Sequence, residues 1–288
     1  MPHEPKLPAV AAVLDAEARH HHTPCGDGEM AWRQWGAGPP VILVHGGSGS
    51  WTHWLRTIPA LQPHYTVIAC DLPGLGESAM PVSPPTPASS AVALAAGIRQ
   101  LTGPDIRRGG PKPRIVAFSF GAHVATLALK ELGSEVLSFT ITGCSALGLR
   151  GPKDMPGLPK ERSTMAADDR RDVHRRVLEM LMFGDPVRID DLAIDLQAEN
   201  VRQARFRSRE FALTDQVRQG LAHVEVPLAA IWGEKDAVAR PSVAAVFEVL
   251  REHHPELVTR VIPGAGHWAM YEAPEAYNAA LLEMLARV

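Results

Sequence analysis

Short runs of mainly apolar residues punctuate this chain, and each stops at glycine, proline or a small polar cluster. Val41–Val44 is followed by His45-Gly46-Gly47, and Tyr65–Cys70 by Asp71-Leu72-Pro73-Gly74. Ile115–Phe118 runs straight into Ser119-Phe120-Gly121, and Val136–Thr142 ends at Gly143. Leu228–Trp232 ends at Gly233, and Leu257–Ile262 at Pro263-Gly264. Runs this short, rich in Val and Ile and lacking polar alternation, predict strands buried on both faces. Helical patterns lie between them, over Ala91–Thr102, Ala122–Leu132, Ser242–His253 and Pro274–Arg287. In the last, Tyr277, Leu281, Met284, Leu285 and Val288 recur at helical spacing. Strand–helix alternation of this kind predicts an α/β fold with a mostly parallel sheet covered by helices.

The rhythm breaks between Ala146 and Leu221. That stretch is rich in Arg and Asp and has no strand-like run. One helical face collects Val173, Val177, Met180 and Leu181, and Phe183-Gly184-Asp185-Pro186 stops it. A helical insertion between two strands of one sheet is the simplest account. Residues 1–26 are polar, with a short helix expected over Val10–Ala18, and Pro81–Pro87 reads as an ordered surface loop.

Composition narrows the class of protein. With 288 residues, 45% of them apolar and 21% charged, the chain is long enough for a sizeable core and is not a disordered or fibrous sequence. A net charge of −3 gives no basic field for nucleic acid or anionic lipid. The apolar patch Ala9–Leu14 is too short for a membrane span or a signal core. Cys25, Cys70 and Cys144 are odd in number and lack metal-binding spacing, which fits a reducing cytoplasm and neither disulfides nor zinc. The His20-His21-His22 triplet reads as a solvated face. Nothing in the pattern speaks to oligomeric state.

Four motifs carry chemistry, and all of them follow predicted strands. Val116-Ala117-Phe118-Ser119-Phe120-Gly121 matches the G-x-S-x-G nucleophile elbow with Ala117 in place of the first Gly. Small residues must flank that serine so that strand and helix approach closely. His45-Gly46-Gly47-Ser48-Gly49 is a loop able to present backbone N–H groups, with Gly47 and Phe120 the expected oxyanion donors. Gly233-Glu234-Lys235-Asp236 and Gly264-Ala265-Gly266-His267-Trp268 follow the last two strands. A serine before a helix is more often a cap, and a histidine beside tryptophan is usually just packed. Together, however, Ser119, Asp236 and His267 reach the same carboxyl edge of a parallel sheet, where ligands bind.

On these motifs and their order, the chain resembles the α/β-hydrolase family over residues 28–288. Asp71-Leu72-Pro73-Gly74-Leu75-Gly76-Glu77-Ser78 is similar to that family's D-x-P-G-x-G-x-S loop. The resemblance implies an eight-stranded, mostly parallel sheet with helices on both faces. It also identifies the insertion after strand 6 as a helical cap. The implied organisation is an N-terminal extension over 1–27, a hydrolase core over 28–145 and 222–288, and a cap over 146–221.

The expected chemistry is that of a serine hydrolase. His267 serves as general base and acid, Asp236 orients it, and an acyl group is carried on Ser119, with no metal or organic cofactor required. A serine nucleophile, where epoxide and haloalkane hydrolases of the family use aspartate, points to acyl transfer. A carboxylic ester of a small to medium apolar substrate is the first expectation. C–C bond hydrolysis of ring-cleavage products is the alternative: Gly266-His267-Trp268-Ala269 resembles those enzymes, whereas Phe118 stands where they carry Asn, and their oxyanion-loop proline is missing. A non-catalytic small-molecule receptor on the same fold is the second alternative. Trp51 and Trp268 are expected to wall the substrate pocket. Met155, Met165, Met180 and Met182 are candidates for its apolar lining. One of Arg202, Arg205 or Arg207 is a candidate for binding a substrate carboxylate.

Overall fold

The computed structural model describes residues 7–155, 157–162 and 164–287. Val288, expected on the last helical face, and the first six residues lie outside that range. The strands are β1 (Arg19–Cys25), β2 (Gly28–Trp35), β3 (Pro40–Val44), β4 (Thr66–Cys70), β5 (Arg114–Phe118), β6 (Ser138–Thr142), β7 (Leu228–Gly233) and β8 (Val258–Ile262). They form one sheet in the order β1-β2-β4-β3-β5-β6-β7-β8. Pairing is parallel from β4 through β8 and antiparallel at β1–β2 and β2–β4.

β3 to β8 coincide with the six apolar runs; both faces of β3 to β7 are covered, while β8 is an edge strand with only Ile262 buried. Ile42, Val44, Ile115 and Ala117 enter one core, while Val41, Leu43, Val116 and Phe118 enter the other. Helices α1 (Ala9–Ala16) and α2 (Ile58–Leu61) precede α3 (Pro87–Ile106) and α4 (Phe120–Leu132) in the chain. The first core is closed by α3 and α4 together with α8 (Val243–Arg251). The second is closed by α1, α2 and α10 (Pro274–Ala286), which follows the one-turn α9 (Ala269–Glu272). The sheet therefore begins earlier than expected, inside residues 1–27. β1 is a polar edge strand whose ladder to β2 runs from Arg19 opposite Gln34 to Cys25 opposite Gly28. Main-chain pairing, not apolar patterning, holds it.

Between β6 and β7 the chain forms α5 (Ala167–Val177), α6 (Asp191–Gln203) and α7 (Gln216–Leu221), with no strand among the described residues. An ion pair of 2.7 Å between Arg171 and Asp191 links α5 to α6. A π-type turn over Leu178–Met182 follows α5. The wider turn shifts the helical phase, so Met180 leaves the face shared by Val173, Val177 and Leu181 and becomes 42% exposed. Among the described residues, no helix is long and apolar enough to cross a membrane.

Candidate active site

The site grows from the turn between β5 and α4. Ser119 N–H donates to Thr142 O at 2.9 Å, which prolongs the β5–β6 ladder to the turn itself. The backbone then reverses at Ser119 with φ +52° and ψ −118°, a region a serine occupies only under strain of about 1–3 kcal/mol. Gly121 permits the tight reversal: a Cβ there would lie 2.7 Å from Val44 O and would also collide with His45 O. Ala117 needs no such freedom. It is a buried strand residue registered between Val44 on β3 and Ile141 on β6.

Ser119 Oγ lies 2.9 Å from His267 Nε2, and His267 Nδ1 lies 2.9 and 3.0 Å from the two carboxylate oxygens of Asp236. A proton on Nδ1 directed at the carboxylate leaves Nε2 free to accept from the serine hydroxyl. The Asp236 side chain is fully buried, and its Oδ1 also accepts from Val238 N–H at 2.7 Å. Backbone bonds join the two loops that carry these groups, as Lys235 N–H donates to Ala265 O at 2.8 Å. The carboxylate of Glu272, on α9, then gathers the histidine loop and the insertion together. It accepts from Gly266 N–H (2.6 Å), Gly184 N–H (2.9 Å) and Asp185 N–H (2.8 Å).

The glycine loop after β3 is held from three sides. His45 donates through Nδ1 to Gly46 O at 2.7 Å and accepts Leu72 N–H on Nε2 at 2.8 Å, so it spans the loops after β3 and β4. Burial lowers its pKa and favours this neutral form. His53 accepts Gly46 N–H at 3.2 Å, and burial among neighbouring imidazoles pushes its pKa well below the ordinary range. Asp71 accepts Trp51 N–H at 2.8 Å and pairs with buried Arg33 at 3.1 Å. From α6, Asn200 Oδ1 accepts the hydroxyls of Ser50 (2.7 Å) and Thr52 (3.2 Å). A Cβ at Gly47 would collide with Ser208 Oγ and lie 3.4 Å from Phe120 Cβ, so the backbones of Gly47 and Phe120 meet beside Ser119.

A cavity of about 430 Å³ opens over Ser119 and His267. Gly47, Phe120, Met155 and Met182 line it, as do Val173, Val177 and Leu181 from the insertion. Neither Trp51 nor Trp268 does. Trp51 packs against Trp35 at 5.5 Å with the Arg33 guanidinium over its ring, and Trp268 stacks on Tyr271 at 4.2 Å. Trp268 also donates to His53 O at 2.9 Å, so both indoles belong to the core behind the loops. Met165 is not a lining residue, and Met180 points outward.

The three expected arginines are also elsewhere. Arg202 pairs with Glu199 at 2.6 Å, Arg205 donates to Gly76 O and Ser78 O, and Arg207 is 85% exposed. The arginines that reach the cavity are Arg150 and Arg209. His53, His123 and Ser208 join them as lining residues that motif reasoning passed over. His123 had one available signal, its place one helical turn after Ser119. Burial drives its pKa down to about 4 despite a 2.8 Å bond from Nε2 to Gln216.

Comparison with known proteins agrees with this architecture. The chain is 29% identical over 277 residues to 2-hydroxy-6-oxo-6-(2'-aminophenyl)hexa-2,4-dienoic acid hydrolase of Metapseudomonas resinovorans, covering 91% of this chain and 89% of that one. It is 22% identical over 245 residues to Lipase 1 of Psychrobacter immobilis, covering 82% and 74%. A meta-cleavage product hydrolase from Pseudomonas fluorescens superposes with a TM-score of 0.72 at 21% identity, over 94% of this chain and 99% of that one. The profile of the alpha/beta hydrolase family matches residues 41–280, which take in the elbow serine, the aspartate and the histidine loop. With its sheet order, its elbow turn and a family match over residues 41–280, this chain belongs to the alpha/beta hydrolase family.

Proposed function

We propose that this hydrolase cleaves a carboxylic ester through an acyl-enzyme on Ser119. The observation that carries the reading is the hydrogen-bonded row from Ser119 Oγ through His267 to Asp236, with Ser119 facing a largely apolar cavity. As Ser119 Oγ attacks the carbonyl carbon, its proton passes to His267 Nε2, and Asp236 stabilises the imidazolium. N–H groups of Gly47 and Phe120 receive the developing oxyanion, each contributing about 3 kcal/mol. Collapse of the tetrahedral species expels the alcohol, which takes the proton from His267. A water molecule, deprotonated by His267, then attacks the acyl carbon and releases the acid and Ser119. In this reading the β6–β7 insertion acts as a cap, with Val173, Val177 and Leu181 bounding the substrate space.

A second reading has a specific observation behind it. The relative at 29% identity is named a 2-hydroxy-6-oxo acid hydrolase. C–C cleavage at the same serine differs in its leaving group, since a carbon atom, not an alkoxide, takes up the proton.

Hydrolysis of 4-nitrophenyl acetate, butyrate and octanoate by wild type and Ser119→Ala tests the first reading. Turnover by the wild type that falls at least 1,000-fold in the variant is expected, the scale seen when a nucleophile is removed. Turnover retained by Ser119→Ala overturns it. Cleavage of a 2-hydroxy-6-oxodienoic acid with no ester turnover moves the assignment to the second reading.

A further inference from the structure

Arg150 differs from most of the other arginines described. It lines the same cavity as Ser119 and His267, yet it makes no ion pair with any carboxylate among the described residues. Its bond to protein runs from Nη2 to the main-chain oxygen of Asp154 at 2.8 Å. Its Nε–H is buried and has no acceptor among the described residues. By contrast, Arg33, Arg56, Arg171, Arg218 and Arg260 all end on carboxylates.

Charge around the cavity has the same bias. Arg150, Arg209 and Lys160 contribute cations, and Glu161 is the one carboxylate in the lining. Glu161 is already engaged by His174 at 3.0 Å and by Arg170 at 3.6 Å. Burial lowers the pKa of Arg150 against the attraction of the Asp154 and Asp236 carboxylates, with a smaller repulsion from Arg240 and Arg209 acting in the same direction as burial. The carboxylate of Asp236 also lies within Coulombic range, so the guanidinium stands near the acid–base row. A guanidinium that is partly desolvated, lines a cavity and keeps a buried N–H without an acceptor gains from an anion that enters.

We propose that Arg150 binds a carboxylate on the substrate, so that the preferred substrate is an acid that also carries the scissile acyl bond, such as a dicarboxylic half-ester. A carboxylate supplies two acceptor oxygens in the plane that a guanidinium requires. The apolar lining then takes the rest of the molecule, while Lys160 adds positive potential. The inference rests on the hydrolase reading above for its reaction, but not for the anion site itself.

The test compares 4-nitrophenyl hydrogen glutarate with neutral 4-nitrophenyl butyrate in wild type, Arg150→Met and Arg150→Lys, each checked for folding by circular dichroism. The readout is the ratio of kcat/KM for the half-ester to that for the neutral ester. Wild type is expected to favour the half-ester, mainly through KM. The ratio should fall about 10–100-fold in Arg150→Met, the worth of a hydrogen-bonded ion pair, and be partly kept in Arg150→Lys. An equal ratio in wild type and Arg150→Met overturns the proposal. If neither ester is turned over, the ester reading fails on its own and calorimetric binding of glutarate decides the anion site. Affinity at least tenfold weaker in Arg150→Met supports it, and equal affinity overturns it.

Discussion

Replacing Glu272 by Gln removes one oxygen from the point where the His267 loop and the insertion meet. The carboxylate accepts three main-chain N–H groups, from Gly266, Gly184 and Asp185, and the residue is only 5% exposed. An amide has one acceptor oxygen, and its NH₂ must face at least one of those donors. The smallest loss is therefore one charge-assisted bond, about 2 kcal/mol with a buried donor left unbonded, plus weakening of the remaining two from charged to neutral. About 3 kcal/mol is the expected total, or a Tm lower by roughly 6–12 °C on the usual scaling for chains of this size. Activity should fall as well, because Gly266 directly precedes His267. A displacement of that loop weakens the Ser119–His267 bond and lowers kcat more than it raises KM, by about tenfold. Thermal unfolding followed by circular dichroism and ester turnover on the same preparation measure both. A variant whose Tm stays within 2 °C and whose kcat is unchanged would refute the view that Glu272 holds the two loops together.

Two further outcomes can be checked. His123 has a folded-state pKa of about 4 against an ordinary 6.5, so the native protein resists a proton that the unfolded chain accepts. Its contribution is intact above about pH 6.5 and is lost as pH falls through 4, at a cost of roughly 3 kcal/mol; urea midpoints at pH 7 and pH 4 should converge more for His123→Gln than for wild type. Ala117→Gly restores the usual elbow motif but removes a buried methyl group and adds backbone freedom to β5, so stability should drop by about 1 kcal/mol while kcat stays within threefold. A gain of tenfold or more would show that Ala117 distorts the turn.

The parts of this molecule that could be read from sequence are those whose local pattern has one physical cause. β3 to β7 announce themselves because both of their faces are covered, so nearly every residue along them is selected for burial, whereas β8, the far edge strand, buries only Ile262 and is marked by its Pro263-Gly264 stop. β1 escapes that signal, since Arg19 to His22 lie at the sheet edge and are held by backbone pairing and polar side-chain bonds, with no apolar pattern. Ser119, Asp236 and His267 are legible because each lies within five residues of the end of a parallel strand, and the fold brings those strand ends together. Arg150 and His123 are different. The acceptor of His123 is Gln216, 93 residues away, and Arg150 lies in a loop whose course no periodicity describes. Trp51 and Trp268 show the converse: being adjacent to a site residue in sequence does not determine which way a side chain leaves a turn.

β6 and β7 are neighbouring parallel strands, so the 85-residue stretch between them leaves the sheet and returns to it without altering the register of any other strand. Such a segment is a natural unit of exchange: recombination among related genes, or grafting at the bench, can replace it while the sheet stays as it is. The structure sets two conditions on a successful graft. The incoming piece must offer an acceptor to the Ser50 and Thr52 hydroxyls where Asn200 stands, and two main-chain donors to Glu272 where Gly184 and Asp185 stand. Under the proposed function, a donor segment that meets both brings a new substrate range to an unchanged Ser119–His267–Asp236 row, whereas one that fails either disturbs the glycine loop or the histidine loop.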